Sequence, residues 1–130
     1  MNRISISVVC CESAEPHYSR IVDLTLDAAE FESRVLRTVE QNLAAGEARE
    51  LHNAAHDSEH GPVTYVQQVH TGGFSVFVGP PNQLREKFFG PGTYVGFMDD
   101  RGPGHASKVG PDGIRRTLRV LKGHLAPGGA

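Results

Sequence analysis

The sequence has no tryptophan, nine other aromatic side chains and two cysteines. A stacking platform for single-stranded nucleic acid needs several exposed rings, and this supply argues against one. Cys10 and Cys11 are adjacent in an apolar run. Neighbours on a strand point to opposite faces, so an ordinary disulfide between them has poor geometry and both read as reduced core residues. No apolar run reaches the length of a bilayer span, and Arg3 followed by Ile4 to Cys11 is too short for a secretory signal. The expected address is the cytoplasm, with no membrane partner. Glycine and proline are scarce in residues 1–60, where only Pro16 and Gly46 occur; the other 21 fall in residues 61–130.

What is present is an ordinary single-domain chain of 130 residues, expected to be globular over 1–126 with a disordered tail at 127–130. Ile4, Ile6, Val8 and Cys10 alternate with Ser5, Ser7, Val9 and Cys11, and Val22, Leu24 and Leu26 alternate with Asp23 and Thr25. These are two strands placed to pair antiparallel across the Pro16 loop. A long amphipathic helix is expected from Asp27 to Ala45. Asp27 and Glu30 form a capping-box pattern, Phe31, Val35, Val39 and Leu43 recur every four residues, and Gly46 closes the element. Glu47 to Asp57 reads as a short, exposed helix.

Beyond Gly61, short apolar runs are separated by glycine and proline. Val63–His70 and Phe74–Val78 flank Thr71-Gly72-Gly73, which reads as a hairpin turn. Asn82–Phe89 reads as two turns of helix with Leu84 and Phe88 four apart, and Thr93–Met98 as a strand. Ile114, Leu118, Leu121 and Leu125 fit a helix capped by Asp112 better than a strand. The expected fold is therefore α+β: a mainly antiparallel sheet of about five strands, one long helix on one face and one or two short helices.

Three constellations bear on function. His52, His56 and His60 are spaced i, i+4, i+8; on a helix the first two share a face and could reach zinc or another divalent metal, with Asp57, Glu59, His70 or His105 as further donors. A solvated polar helix end is the commoner origin of such a pattern, and Asn53 stands where zinc proteases carry their general base. Asp99 and Asp100 end a strand, where they serve either a magnesium or proton-sharing site or, more simply, the turn that ends in Gly102. Charge is polarised: residues 1–60 carry 11 acidic and 5 basic side chains, residues 61–130 carry 4 and 8. On a C-terminal helix Arg115, Arg116, Arg119 and Lys122 would form a basic face for a phosphate backbone or an acidic protein, unless it pairs internally.

Gly90-Pro91-Gly92 lacks the spacing of a phosphate loop, and Ser75 lacks the second glycine of a nucleophile elbow. With catalytic motifs failing one by one, the sequence points to a small, non-catalytic cytosolic binding protein with no catalytic residue and no cofactor. Its expected role is a regulator of, or antidote to, another protein. Metal binding through His52/His56/His60 and nucleic-acid binding through the basic face are the alternatives, and an exposed edge strand would permit a homodimer.

Overall fold

The computed structural model describes residues 2–55, 57 and 59–125. It is an all-β architecture with one short helix, not the expected α+β fold. The elements run β1 (Arg3–Cys11), β2 (Ser19–Asp27), α1 (Ala28–Ser33), β3 (Val35–Leu43), β4 (Ala48–His52), β5 (Val63–Val78), β6 (Arg85–Phe89), β7 (Tyr94–Phe97) and β8 (His105–Lys122). All eight strands belong to one sheet of order β2-β1-β7-β5-β8-β3, with β4 also paired to β8 and β6 to β5. The tail expected at 127–130 lies outside the described residues. No helix among them is long and apolar enough to cross a membrane.

The β1/β2 hairpin forms as the alternation predicts, in unbroken register from Arg3↔Asp27 to Cys11↔Ser19. On its other side β1 pairs parallel with β7, so it is an interior strand with both faces covered, which explains why its second half is apolar at every position. Ile6, Val8 and Cys10 enter one core and Val9 enters the other.

The two longest strands shape the rest. β5 and β8 pair from Val63↔Lys122 to Phe77↔Ala106, with register shifts between Val69 and Thr71 and between Gly72 and Phe74. At those shifts the neighbours change. The first half of β5 pairs with β7 and the second with β6; the second half of β8 pairs with β3 and the first with β4. The sheet thus has two arms that share β5 and β8, bent at the bulges. Phe74 on one arm lies 6.4 Å, ring to ring, from Phe97 on the other, and His105 stacks on Phe97 at 4.5 Å. The core between the arms contains Val9, Val69, Phe74, Val76, Val95, Phe97, Val109 and Ile114. A second core on the outer face of the larger arm gathers Ile6, Val8, Val66, Met98, Leu121 and Leu125 under Phe31 of α1.

Gly72 makes the bend possible. Its φ is +70°, and a Cβ there would collide with the carbonyl oxygen of Gly113 on the opposing strand. The Gly72-Gly73 pair therefore forms a bulge inside a continuous strand, where a hairpin turn was expected.

The expected helices at Asp27–Ala45, Glu47–Asp57, Asn82–Phe89 and Ile114–Leu125 are all corrected, and the first, third and fourth share one cause. Apolar side chains four apart share a face on a helix and also on a strand, because four is an even number of residues. Val35, Val39 and Leu43 lie in β3, Leu84 and Phe88 span the start of β6, and Ile114 and Leu118 lie in β8. Helix survives only over Ala28–Ser33, where Asp27 precedes the first turn without a side-chain capping bond.

Candidate functional site

A recess of about 280 Å³ opens between the two arms. Its polar lining comes from four strands and the segment after β4. Cross-strand register sets the arrangement: Arg49 lies opposite Ser107 and His52 opposite His105, while Gln41 and Val69 both lie opposite Arg116 and Gln67 lies opposite Leu118. Residues three apart on a regular strand face opposite ways. The register shift between Arg49 and His52 lets both side chains line the recess.

Arg116 is the central cation. Its Nε donates to Gln41 Oε1 at 2.9 Å, and its guanidinium lies over the Phe74 ring, 4.9 Å from the centroid. Both contacts fix the plane of the group. The ion pairs among the described residues are Arg34–Glu30, His60–Asp57, His105–Asp99 and His124–Asp100, so neither Arg116 nor Arg49 has a carboxylate partner there. Burial, reinforced by the neighbouring charge of Arg49 and partly offset by that of Glu47, pushes the Arg116 pKa down to about 10, which still leaves it charged at neutral pH.

One wall rests on a buried polar network. Asp99 is wholly buried, and its Oδ2 accepts from Ser19 Oγ and from His105 Nδ1, each at 2.7 Å. This turns the imidazole edge carrying Nε2 away from Asp99. The ring is held between Phe97 and His52, whose centroid is 4.4 Å away. His52 in turn donates from Nδ1 to the Glu50 carbonyl at 2.8 Å, and burial is the main cause that holds its pKa below the usual histidine range. The Asn53 amide donates to the carbonyls of Arg101 and Gly102 at 3.1 and 3.0 Å, tying the loop after β7 to the chain after β4. Gly104, with φ +81°, lets that loop pass so close that a Cβ would strike the His52 carbonyl.

Two buried side-chain atoms in this region have no hydrogen-bond partner, Asp99 Oδ1 and Gln67 Oε1. Gln67 is 8% exposed and lines the recess.

The structure disperses the sequence-predicted sites. His52 lies on β4 and lines the recess; His56 lies outside the described residues; His60 sits in the turn after Asp57, its Nδ1 3.2 Å from Asp57 Oδ2. The helix that would align the three does not form, and no group of three or more His, Cys, Asp or Glu is placed to hold a metal ion among the described residues. His70 is far from this arrangement in role: its Nε2 contacts Thr117 Oγ1 at 2.6 Å.

The basic face divides because β8 is a strand. Arg116 faces the recess, Arg119 lies on the opposite face and donates to Gln68 Oε1 at 2.7 Å, and Arg115 and Lys122 are exposed. Of the aspartates read as a turn, Asp100 is partly buried, 3.6 Å from His124, while Asp99 anchors the network. Its signal was alternation: Val95, Phe97 and Asp99 are two apart, which points the carboxylate toward the same interior. Arg49, Gln41 and Gln67 carried no such signal, since their neighbours depend on strand register. Cys10 and Cys11 are free thiols whose pKa values are raised, above all by burial.

The chain matches no protein-family model, no curated protein and no solved structure.

Proposed function

We propose that this chain is a binding protein that captures a small organic anion in the recess between the arms, with Arg116 and Arg49 as the cation pair. The observation that carries the reading is Arg116 itself, a partly buried guanidinium fixed by Gln41 and Phe74 with no carboxylate in ion-pair contact among the described residues, Glu47 acting on it only from a longer range. Partly burying a cation without a counter-ion costs several kcal/mol, and an incoming anion recovers part of that cost. Arg49 adds to the cost in the empty site and to the gain in the filled one. In this reading Asp99 and His105 hold the wall, and no catalytic step is assigned. We place the protein in the cytoplasm, a compartment with which the free, adjacent Cys10 and Cys11 accord.

The test is calorimetric titration of the wild-type chain, Arg116→Gln and Arg49→Gln with benzoate and with inorganic phosphate. Saturable binding weakened at least about tenfold by Arg116→Gln is expected, since a charge-assisted contact contributes about 1.5–3 kcal/mol. Equal binding by wild type and Arg116→Gln would overturn the reading.

A further inference from the structure

Asp99 does more to His105 than hold it in place. A carboxylate only accepts, so the 2.7 Å contact puts the ring proton on Nδ1 and leaves the lone pair of the neutral imidazole on Nε2. That nitrogen has no partner among the described residues. It is also not one of the buried polar atoms left bare, which are Asp99 Oδ1 and Gln67 Oε1, so it keeps surface open to solvent. The His105 side chain is 6% exposed and is flanked by Phe97 and His52; all three line the recess, and that is where Nε2 opens.

No serine, threonine or cysteine among the described residues bonds to Nε2, so it activates no side-chain nucleophile and is left to act on what the recess holds. The cations say what that is. Register sets Arg49 opposite Ser107 and His52 opposite His105, and Ser107 and His105 are two apart on β8, so Arg49 is beside the imidazole pair. Its charge acts on His52 and on Arg116 alike, and all of these side chains line the one recess. Tyr65, Phe74, Phe97 and Leu118 supply apolar wall.

Resting on the anion-binding reading above and going beyond it, we infer that the recess is catalytic and enolises a small 2-oxo acid with an apolar side chain, His105 Nε2 being the base. The carboxylate sits on Arg116 and the side chain on the apolar wall. Nε2 takes a proton from the carbon beside the carbonyl. The C–H electron pair becomes a carbon–carbon double bond and the carbonyl pair moves onto oxygen, where Arg49 meets the charge. Asp99 stabilises the imidazolium so formed. The proton then passes from Nε2 to that oxygen, giving the enol with no atom gained or lost. A plain carboxylic acid would leave Arg49 unmatched and offer the base no acidic C–H; the adjacent carbonyl supplies both.

The test follows deuterium uptake at C3 of phenylpyruvate and of 2-oxobutanoate by proton NMR in deuterated buffer, with free imidazole at the protein concentration as reference. Wild type, His105→Gln and Arg116→Gln are compared. At least one probe is expected to exchange about a hundredfold or more faster with wild type than with imidazole, and benzoate is expected to compete. Gln keeps a donor for Asp99 and removes the base, so His105→Gln should lose about a hundredfold or more in kcat while calorimetric benzoate binding stays nearly unchanged. Arg116→Gln should instead raise KM. If His105→Gln fails to fold, His105→Asn takes its place. Exchange no faster than with imidazole, exchange that benzoate does not compete, or exchange that survives the loss of His105 overturns the inference. Benzoate binding that depends on Arg116 without any exchange refutes this inference alone, whereas benzoate binding that is absent or indifferent to Arg116 refutes the anion reading with it.

Discussion

Asp99→Ala removes the acceptor of two 2.7 Å hydrogen bonds from a wholly buried site. The Ser19 hydroxyl and the His105 Nδ1–H are then left in a dry interior, each at a cost of about 1–3 kcal/mol. Relief of the bare Asp99 Oδ1 offsets a little of this, so the net loss should be about 3–4 kcal/mol. For a chain of 130 residues that corresponds to a fall in melting temperature on the order of 10–20 °C. The absence of tryptophan makes far-UV circular dichroism in urea the natural assay, with the slope compared between variants to exclude a changed denatured state. Ser19→Ala, which breaks one bond and leaves the Asp99–His105 contact, should lose only about 1 kcal/mol. A double-mutant cycle of Asp99→Ala with His105→Ala should show coupling above about 1 kcal/mol. An Asp99→Ala loss below about 1 kcal/mol, or an additive cycle, would refute the claim that this network holds the wall of the recess.

Gly72→Ala should be among the most damaging single-methyl additions, because it combines a positive φ with a collision against the Gly113 carbonyl; a loss of about 2–4 kcal/mol is expected by urea titration, and a neutral result would mean the bulge is not the bend. Burial first, with repulsion from His105 and Arg49, depresses the His52 pKa, so the unfolded chain takes its proton before the folded one. The stability this confers is present in full above the usual histidine value near 6.5 and is lost as pH falls through it toward the folded value. Melting temperatures from pH 7.5 to 5.5 should fall less in His52→Gln than in wild type, and the opposite ranking would reject the assignment. A bound anion reverses the linkage, so benzoate affinity should rise over the same interval and flatten in His52→Gln.

Legibility in the sequence followed the range of the interactions. The β1/β2 hairpin was readable because its alternation is strict and its partner is the next element, and Tyr94–Phe97 because Thr93–Met98 is a short apolar run between turns. Phe31, Val35, Val39 and Leu43 misled because a four-residue spacing serves both periods, and only the pairing of β3 with β8 decides between them. The glycines at 72 and 73 suggest a hairpin turn, but the chain runs on as one strand, because whether it turns back or only bends depends on the distant Gly113. Arg116 was singled out for the right charge on the wrong element. Its neighbours Gln41 and Phe74 come from distant segments, so neither its isolation from carboxylates nor its place in a recess could be read locally.

The position of β8 after all its partners has a kinetic consequence. Val35 must find Leu121 and Val63 must find Lys122, so nearly every pairing of this strand closes a long loop before any contact compensates for the lost chain entropy. The β1/β2 hairpin can form early, but on its own it is marginal. Assembly of the sheet therefore waits on one late, non-local step, and folding should be slow and all-or-none. Because β8 supplies both Arg116 and His105, the recess exists only after that step, and any ligand held there reports on the completed sheet alone.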